Sequence, residues 1–406
     1  MRRIAPILLM TFLIGQAAFA CTTAIVSGKA TRDGRPLMWK HRDSDSFNNK
    51  MMFIKGKRYN FVGLVNSDDK DYQVWGGTNS AGFSIMNSAS YNLKPIDDKT
   101  EKADQEGFIM RIALEYCATI KDFQNLLDTL PKPLGVEANF GVIDTMGGAA
   151  YFETNNFSYK KFDVNDPKIA PNGYLIRTNY SISGRENEGA GYNRYQTAIK
   201  QIEEGYKSKS LNPYFFLDKA SLCLKHELTK TDLSVEFKKN TIPNRLYTLR
   251  DYIVRYSSTS TILIHGVKAG ESPLLITTWV KLGFQPTSVS VPIWIGTAEN
   301  MPALVTAPGL ETADLCNFSL LLKKDCFPFK KWSEGESYVC LEKLGNKDET
   351  GYMQINTFFD KELIGRAEKL ITKWQKLGFD SDESLDLYKE FEKQIRIFYR
   401  ENFNLK

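Results

Sequence analysis

Cys21 stands directly after a stretch that reads as a secretory signal. Arg2 and Arg3 give a positive start, Ile4 to Ile14 an apolar run, and Ala18-Phe19-Ala20 a small-x-small cleavage site. Cleavage there makes Cys21 the first residue of the mature chain. A free N-terminal cysteine joins a nucleophile and a base in one residue, because its α-amine titrates near ~7.7–8.0 and its thiol near ~8.5. The amine can accept the thiol proton, directly or through a water, and later protonate a leaving amine. A lipid anchor and a disulfide partner are the competing readings of such a cysteine. Ala18-Phe19-Ala20 argues against lipidation, since it lacks the usual Leu three places upstream and sets a bulky Phe where a small residue is expected.

Chemistry at Cys21 needs partners brought back to it, and the local pattern provides a way. Thr22 to Ser27 is short, β-branched and apolar, Pro36 to Lys40 is similar, and Arg32-Asp33-Gly34-Arg35 between them is a turn signal. The resulting hairpin returns Arg42 and Asp45 towards Cys21. Further strands are predicted at Met52–Ile54, Tyr59–Val65 and Tyr72–Trp75, then a hairpin at Asn79–Gly82 whose second strand exits through the small, polar run around Asn87. Helical periodicity over Phe108 to Leu130, broken near Thr119, predicts two helices lying on a sheet. Two strands joined across Gly147-Gly148 follow, and then an apolar strand, Gly173 to Arg177, ending in Thr178-Asn179. Helices are expected over Tyr192–Tyr206 and Pro213–His226, and strands over Thr259–His265, Leu274–Val280 and Thr287–Pro292. From about Asp360 two amphipathic stripes predict a C-terminal helical pair that packs on its own domain or forms an oligomer contact.

The segment CTTAIVSGKATRDGRPLMWKHRDSD resembles the start of N-terminal-nucleophile (Ntn) hydrolases of the choloylglycine hydrolase, penicillin V acylase and acyl-CoA:6-aminopenicillanate acyltransferase group. Those chains begin Cys-Thr and show Arg-x-x-Asp after a hairpin, here Arg42 and Asp45; Asp43 stands where the group more often has Asn. Cys-Thr-Thr followed by Ala-Thr-x-Asp-Gly is also similar to the opening of cysteine dipeptidases of the same superfamily. The resemblance implies an α+β fold, the four-layer αββα Ntn sandwich, with the helical pair added. It also implies hydrolysis of a linear amide through an acyl-enzyme on Cys21. By position it implies that Arg42 favours the thiolate and Asp45 holds the terminal amine. Asn87 and Asn179 would stabilise the oxyanion, and Arg255 would be a further active-site arginine, with Arg245 and Arg250 as competitors. A cysteine dipeptidase and a non-enzymatic, lipid-anchored surface protein are the alternatives.

The expected organisation is a signal peptide over 1–20, an Ntn hydrolase domain over 21–359 and a helical extension over 360–406. Hydrophobic residues make up 42% of the chain, enough for a sizeable core. The net charge of +5, with both signs interspersed, gives no reason to propose nucleic acid as a partner. The partner expected is a small amide substrate, and a homo-oligomer is open. After the signal no apolar run is long enough to span a membrane, so the mature protein is expected to be exported, to a periplasm or beyond the cell. His41, His226 and His265 are scattered and read as structural, so neither a histidine triad nor a metal site is expected, and no cofactor. Cys316, Cys326 and Cys340 lie close enough in sequence for one local disulfide.

Overall fold

The computed structural model describes residues 20–239, 242–329 and 335–405. Residues 1–19 of the expected signal peptide lie outside the described residues. Two antiparallel sheets form the centre. The first is built from β1 (Cys21–Val26), β2 (Leu37–Asp43), β10 (Tyr174–Arg177), β11 (Ser258–His265), β12 (Thr277–Leu282) and β13 (Val291–Trp294), in the order β10-β1-β2-β11-β12-β13. The second is a seven-stranded meander: β3 (Asn49–Ile54), β4 (Phe61–Asn66), β5 (Val74–Asn79), β6 (Ser84–Ala89), β7 (Ala138–Ile143), β8 (Ala149–Thr154) and β9 (Tyr159–Asp163).

Helices cover both outer faces. On the second sheet lie α1 (Glu106–Tyr116) and α2 (Ile120–Thr129), whose Ile109, Leu114, Phe123 and Leu127 bury against Ile85, Phe140 and Phe152. The break between them is a capping box. Thr119 leaves the helical conformation, its hydroxyl accepts from Asp122 N, and the Asp122 carboxylate accepts from Thr119 N. Against the first sheet pack α3 (Tyr192–Lys207), α4 (Asp314–Cys326) and the C-terminal pair α5 (Tyr352–Leu377) and α6 (Ser381–Phe403). Trp294 of β13 stacks on Tyr388 of α6 and meets Trp374 of α5 edge-on, and Asp360 of α5 accepts from the buried Lys281 Nζ at 2.6 Å. Helix, sheet, sheet and helix give an α+β, αββα sandwich closed by the C-terminal pair. The first helix of that pair begins at Tyr352, ahead of Asp360.

Register decides what faces the space between the sheets. Cys21 pairs with Arg42 and Thr23 with Lys40, and directly opposed residues of an antiparallel pair share a face. On that face Tyr151 of the second sheet donates to Thr23 Oγ1 at 3.0 Å. Gly76 comes so near Ile262 that a Cβ there would lie 3.2 Å from its Cγ2. The intervening residues look the other way, and Trp39 donates to Ser221 Oγ at 2.9 Å beneath the helices.

Three expected elements differ in the structure. Of Pro213–His226 the helix begins at Pro213 as expected but ends at Ala220, with Phe215–Ala220 in a π-helix, and Lys225–His226 enters a two-residue ribbon. Over Leu274–Val280 the strand begins only at Thr277, because Pro273, which lacks an N–H, starts a 3₁₀ turn. Thr287–Pro292 likewise becomes a 3₁₀ turn around Pro286 followed by β13. All six cysteines are free, so Cys316, Cys326 and Cys340 form no disulfide. Among the described residues no helix is long and apolar enough to cross a membrane.

Candidate active site

Cys21 opens β1 and is buried, with β2 on one side and β10 on the other. Its backbone nitrogen, still joined to Ala20, donates to Asn179 Oδ1 at 3.0 Å. Its carbonyl accepts from Arg194 Nη1 at 2.6 Å, and Arg194 Nη2 donates to the same Asn179 oxygen at 2.7 Å. The three residues thus form a closed set around the start of the strand. Asn179 lies just beyond β10, where a lone bridge to Ala190 holds it, and its Nδ2 donates to Ala89 O at the end of β6. Beneath this turn Glu153 of β8 pairs with Arg177 at 2.6 Å and accepts from the backbone nitrogens of Ile182 and Ser183. The loop carrying Asn179 is therefore anchored to the second sheet through a buried carboxylate.

Arg42 lies opposite Cys21 in the register and is buried against the Trp75 ring, 5.0 Å from its centroid. Its guanidinium donates to Asn66 Oδ1 at 2.9 Å, Ser44 Oγ at 3.2 Å and Thr259 Oγ1 at 3.4 Å. Burial brings its pKa down to about 10, opposed by negative charge at Cys21 and Asp45. Asp45 is exposed and accepts from Ser44 Oγ at 3.4 Å; the acceptor at Cys21 N is Asn179 instead. The physical reason is that β2 ends at Asp43, so Asp45 falls in the turn beyond the strand, exposed to solvent, though near enough for its charge to act on Arg42.

The buried carboxylate next to Arg42 is Asp43. It accepts from Arg255 Nη2 at 2.6 Å and from Ser258 Oγ at 2.8 Å, and Ser258 Oγ also lies 2.9 Å from His41 Nε2. Burial lowers the His41 pKa to about 4, so the ring is neutral in this network at ordinary pH. Of the three competing arginines, Arg245 and Arg250 are exposed, and Arg255 is the one fixed to the strand that carries Arg42.

Asn87 is buried on β6, and its Oδ1 accepts from Lys40 Nζ at 2.7 Å. Lys40 and Arg194 were not among the residues singled out from the sequence. Both are fully buried cations whose electrostatic partners include Cys21; burial lowers Lys40 to about 8 and, with Arg255 adding repulsion, Arg194 to about 9. Burial likewise raises the Tyr91 phenol, which is also sensitive to charge at Cys21. Three cations, Lys40, Arg42 and Arg194, thus have Cys21 as an electrostatic partner and two carboxamides among their hydrogen-bond partners, Asn87 and Asn179, which is a site suited to negative charge. Among the described residues no cluster of His, Cys, Asp and Glu has the makings of a metal site.

The model of the family described as acyl-coenzyme A:6-aminopenicillanic acid acyl-transferase matches residues 31–260, more than half of the chain. The chain belongs to this family. The matched span holds Arg42, Asp45, Asn87, Asn179 and Arg255 and begins after Cys21. Similar solved structures include an N-acylethanolamine-hydrolyzing acid amidase ortholog from Caenorhabditis elegans, 16% identical over 60% of this chain and 92% of that one, TM-score 0.40. A variant of the conjugated bile acid hydrolase from Clostridium perfringens is 12% identical over 68% and 93%, TM-score 0.42. Penicillin V acylase from Agrobacterium tumefaciens is 12% identical over 68% and 86%, TM-score 0.38. No curated protein gives a match. Within the acyl-transferase family the chain is an Ntn-type amide hydrolase or acyltransferase.

Proposed function

We propose that the chain is an exported amidase in which Cys21, freed by removal of residues 1–20, cleaves a linear N-acyl amide through a thioester. The carrying observation is the seat of the Cys21 nitrogen, 3.0 Å from Asn179 Oδ1 with the Arg194 guanidinium on the same oxygen. Once Ala20 is gone, that nitrogen is an α-amine held by a neutral acceptor. The neighbouring guanidinium disfavours the ammonium form, which keeps the amine available as a base near neutral pH.

The thiol proton passes to the amine, and the thiolate attacks the amide carbonyl carbon. The oxyanion forms beside Asn87 under the potential of Lys40 and Arg42. The C–N bond breaks as the ammonium returns the proton to the leaving nitrogen. Water, deprotonated by the same amine, then splits the thioester; an amine in place of water would give acyl transfer. Asn179 is assigned to the amine, a role the resemblance gave to Asp45, and Asn87 to the oxyanion.

The test is a mass measurement of the exported protein after incubation with penicillin V, N-acyl amino acids, conjugated bile salts and dipeptides. A chain beginning at unmodified Cys21 that gains an acyl group supports the proposal. A diacylglyceryl group on Cys21 would end it.

A further inference from the structure

Lys40 is buried on the face of β2 that carries Arg42, two residues away, and is the diagonal neighbour of Cys21 across the β1–β2 pair. Diagonal neighbours in such a pair lie about 7–8 Å apart, within reach of a lysine side chain. Its ammonium donates to Asn87 Oδ1 at 2.7 Å and to Trp75 O at 2.8 Å, and among the described ion pairs none involves it. Lys281, equally buried two strands away in the same sheet, has Asp360 at 2.6 Å as its counter-ion. A buried cation held by neutral oxygens alone is costly. The negative charge that would complement it is the one that develops at Cys21.

We propose that Lys40 is a positioning residue: by holding the carbonyl oxygen of the Asn87 carboxamide it turns the Asn87 amide hydrogens to the oxyanion formed at Cys21. A free carboxamide can present either end to a reacting centre, and the wrong end would repel an oxyanion. A cation on Oδ1 removes that choice, and it polarises the amide so that its N–H groups donate more strongly. The burial-lowered pKa of Lys40, about 8, is raised by charge at Cys21 and Glu106 and lowered by Arg42, so the ammonium gains when Cys21 becomes negative.

This inference rests on Cys21 being the nucleophile, and the experiment separates the two. Protein beginning at Cys21 is mixed with p-nitrophenyl acetate, and the burst of p-nitrophenolate, one per thioester formed, is timed. Cys21→Ala should show no burst; a burst there overturns the reading of the nucleophile. With that control in place, Lys40→Met should slow the burst by roughly 10²–10³, about as much as Asn87→Ala. In the Asn87→Ala background Lys40→Met should slow the burst by no more than about tenfold, the part owed to the direct charge of Lys40, because the rest of its effect runs through Asn87. Multiplying effects in the double variant, or a wild-type burst in Lys40→Met, would overturn the proposal. Should Lys40→Met fail to fold, the same cycle with Lys40→Gln, polar but uncharged, gives the same two outcomes.

Discussion

Cys21 N and Asn179 Oδ1 lie 3.0 Å apart although 158 residues separate them in sequence. The contact exists because β1 is flanked by β10, so the first residue of one strand meets the second residue past the other. Asn179→Asp tests what the contact does. A carboxylate there would stabilise the α-ammonium, so the acidic limb of the kcat/KM pH profile should move up by about one unit. An unshifted limb with a lower rate throughout would make Asn179 an oxyanion donor instead.

Asp43 and Asp45 stand two residues apart and have opposite fates. Asp43 is buried beneath Arg255 and Ser258, and Asp45 is exposed. Asp43→Ala leaves a guanidinium without its counter-ion and should lower unfolding stability by about 3–5 kcal/mol. Asp45→Ala should stay within about 0.5 kcal/mol of wild type. Urea unfolding of the two variants gives both values.

The His41 ring gives the protein an acid-sensitive point. Its folded-state pKa of about 4 lies below the ordinary 6.5, so between these values the unfolded chain binds a proton that the folded chain does not. Stability therefore falls as pH drops from about 6.5 towards 4, by on the order of 3 kcal/mol from this group. The stability difference between wild type and His41→Gln should shrink or reverse across that window. A pH-independent difference would mean that His41 is not buried neutral.

The pairing of Cys21 with Arg42 was legible because it rests on local signals, two short apolar runs about a turn. So was the break at Thr119, where a capping residue interrupts a helical stripe. The charged residues were harder to place. Lys40 and Arg42 stand at the end of a predicted hairpin strand where nothing in the local sequence marks them as buried, and the second sheet, through Trp75 and Asn87, covers them. The Arg-x-x-Asp spacing points to Asp45, and that Asp43 is the buried carboxylate of the two follows only from where β2 ends. Arg194 is one basic residue on a surface-patterned helix, and its role depends on α3 starting beside β1. In each case the missing information was tertiary contact between distant segments.

The account depends most on the Cys21 nitrogen acting as the base, and one comparison tests that directly. Two preparations are made, one beginning at Cys21 and one that keeps Ala20, with each N-terminus confirmed by mass. In the second, Cys21 N is an amide that can still donate to Asn179 Oδ1, as it does here, but cannot accept a proton at neutral pH. The thiol is the same in both. Amide turnover in the form that keeps Ala20 should fall by roughly 10²–10⁴, the general acid–base contribution, with steric blocking adding to the loss. Equal rates from the two preparations would contradict the account and place the base on another residue.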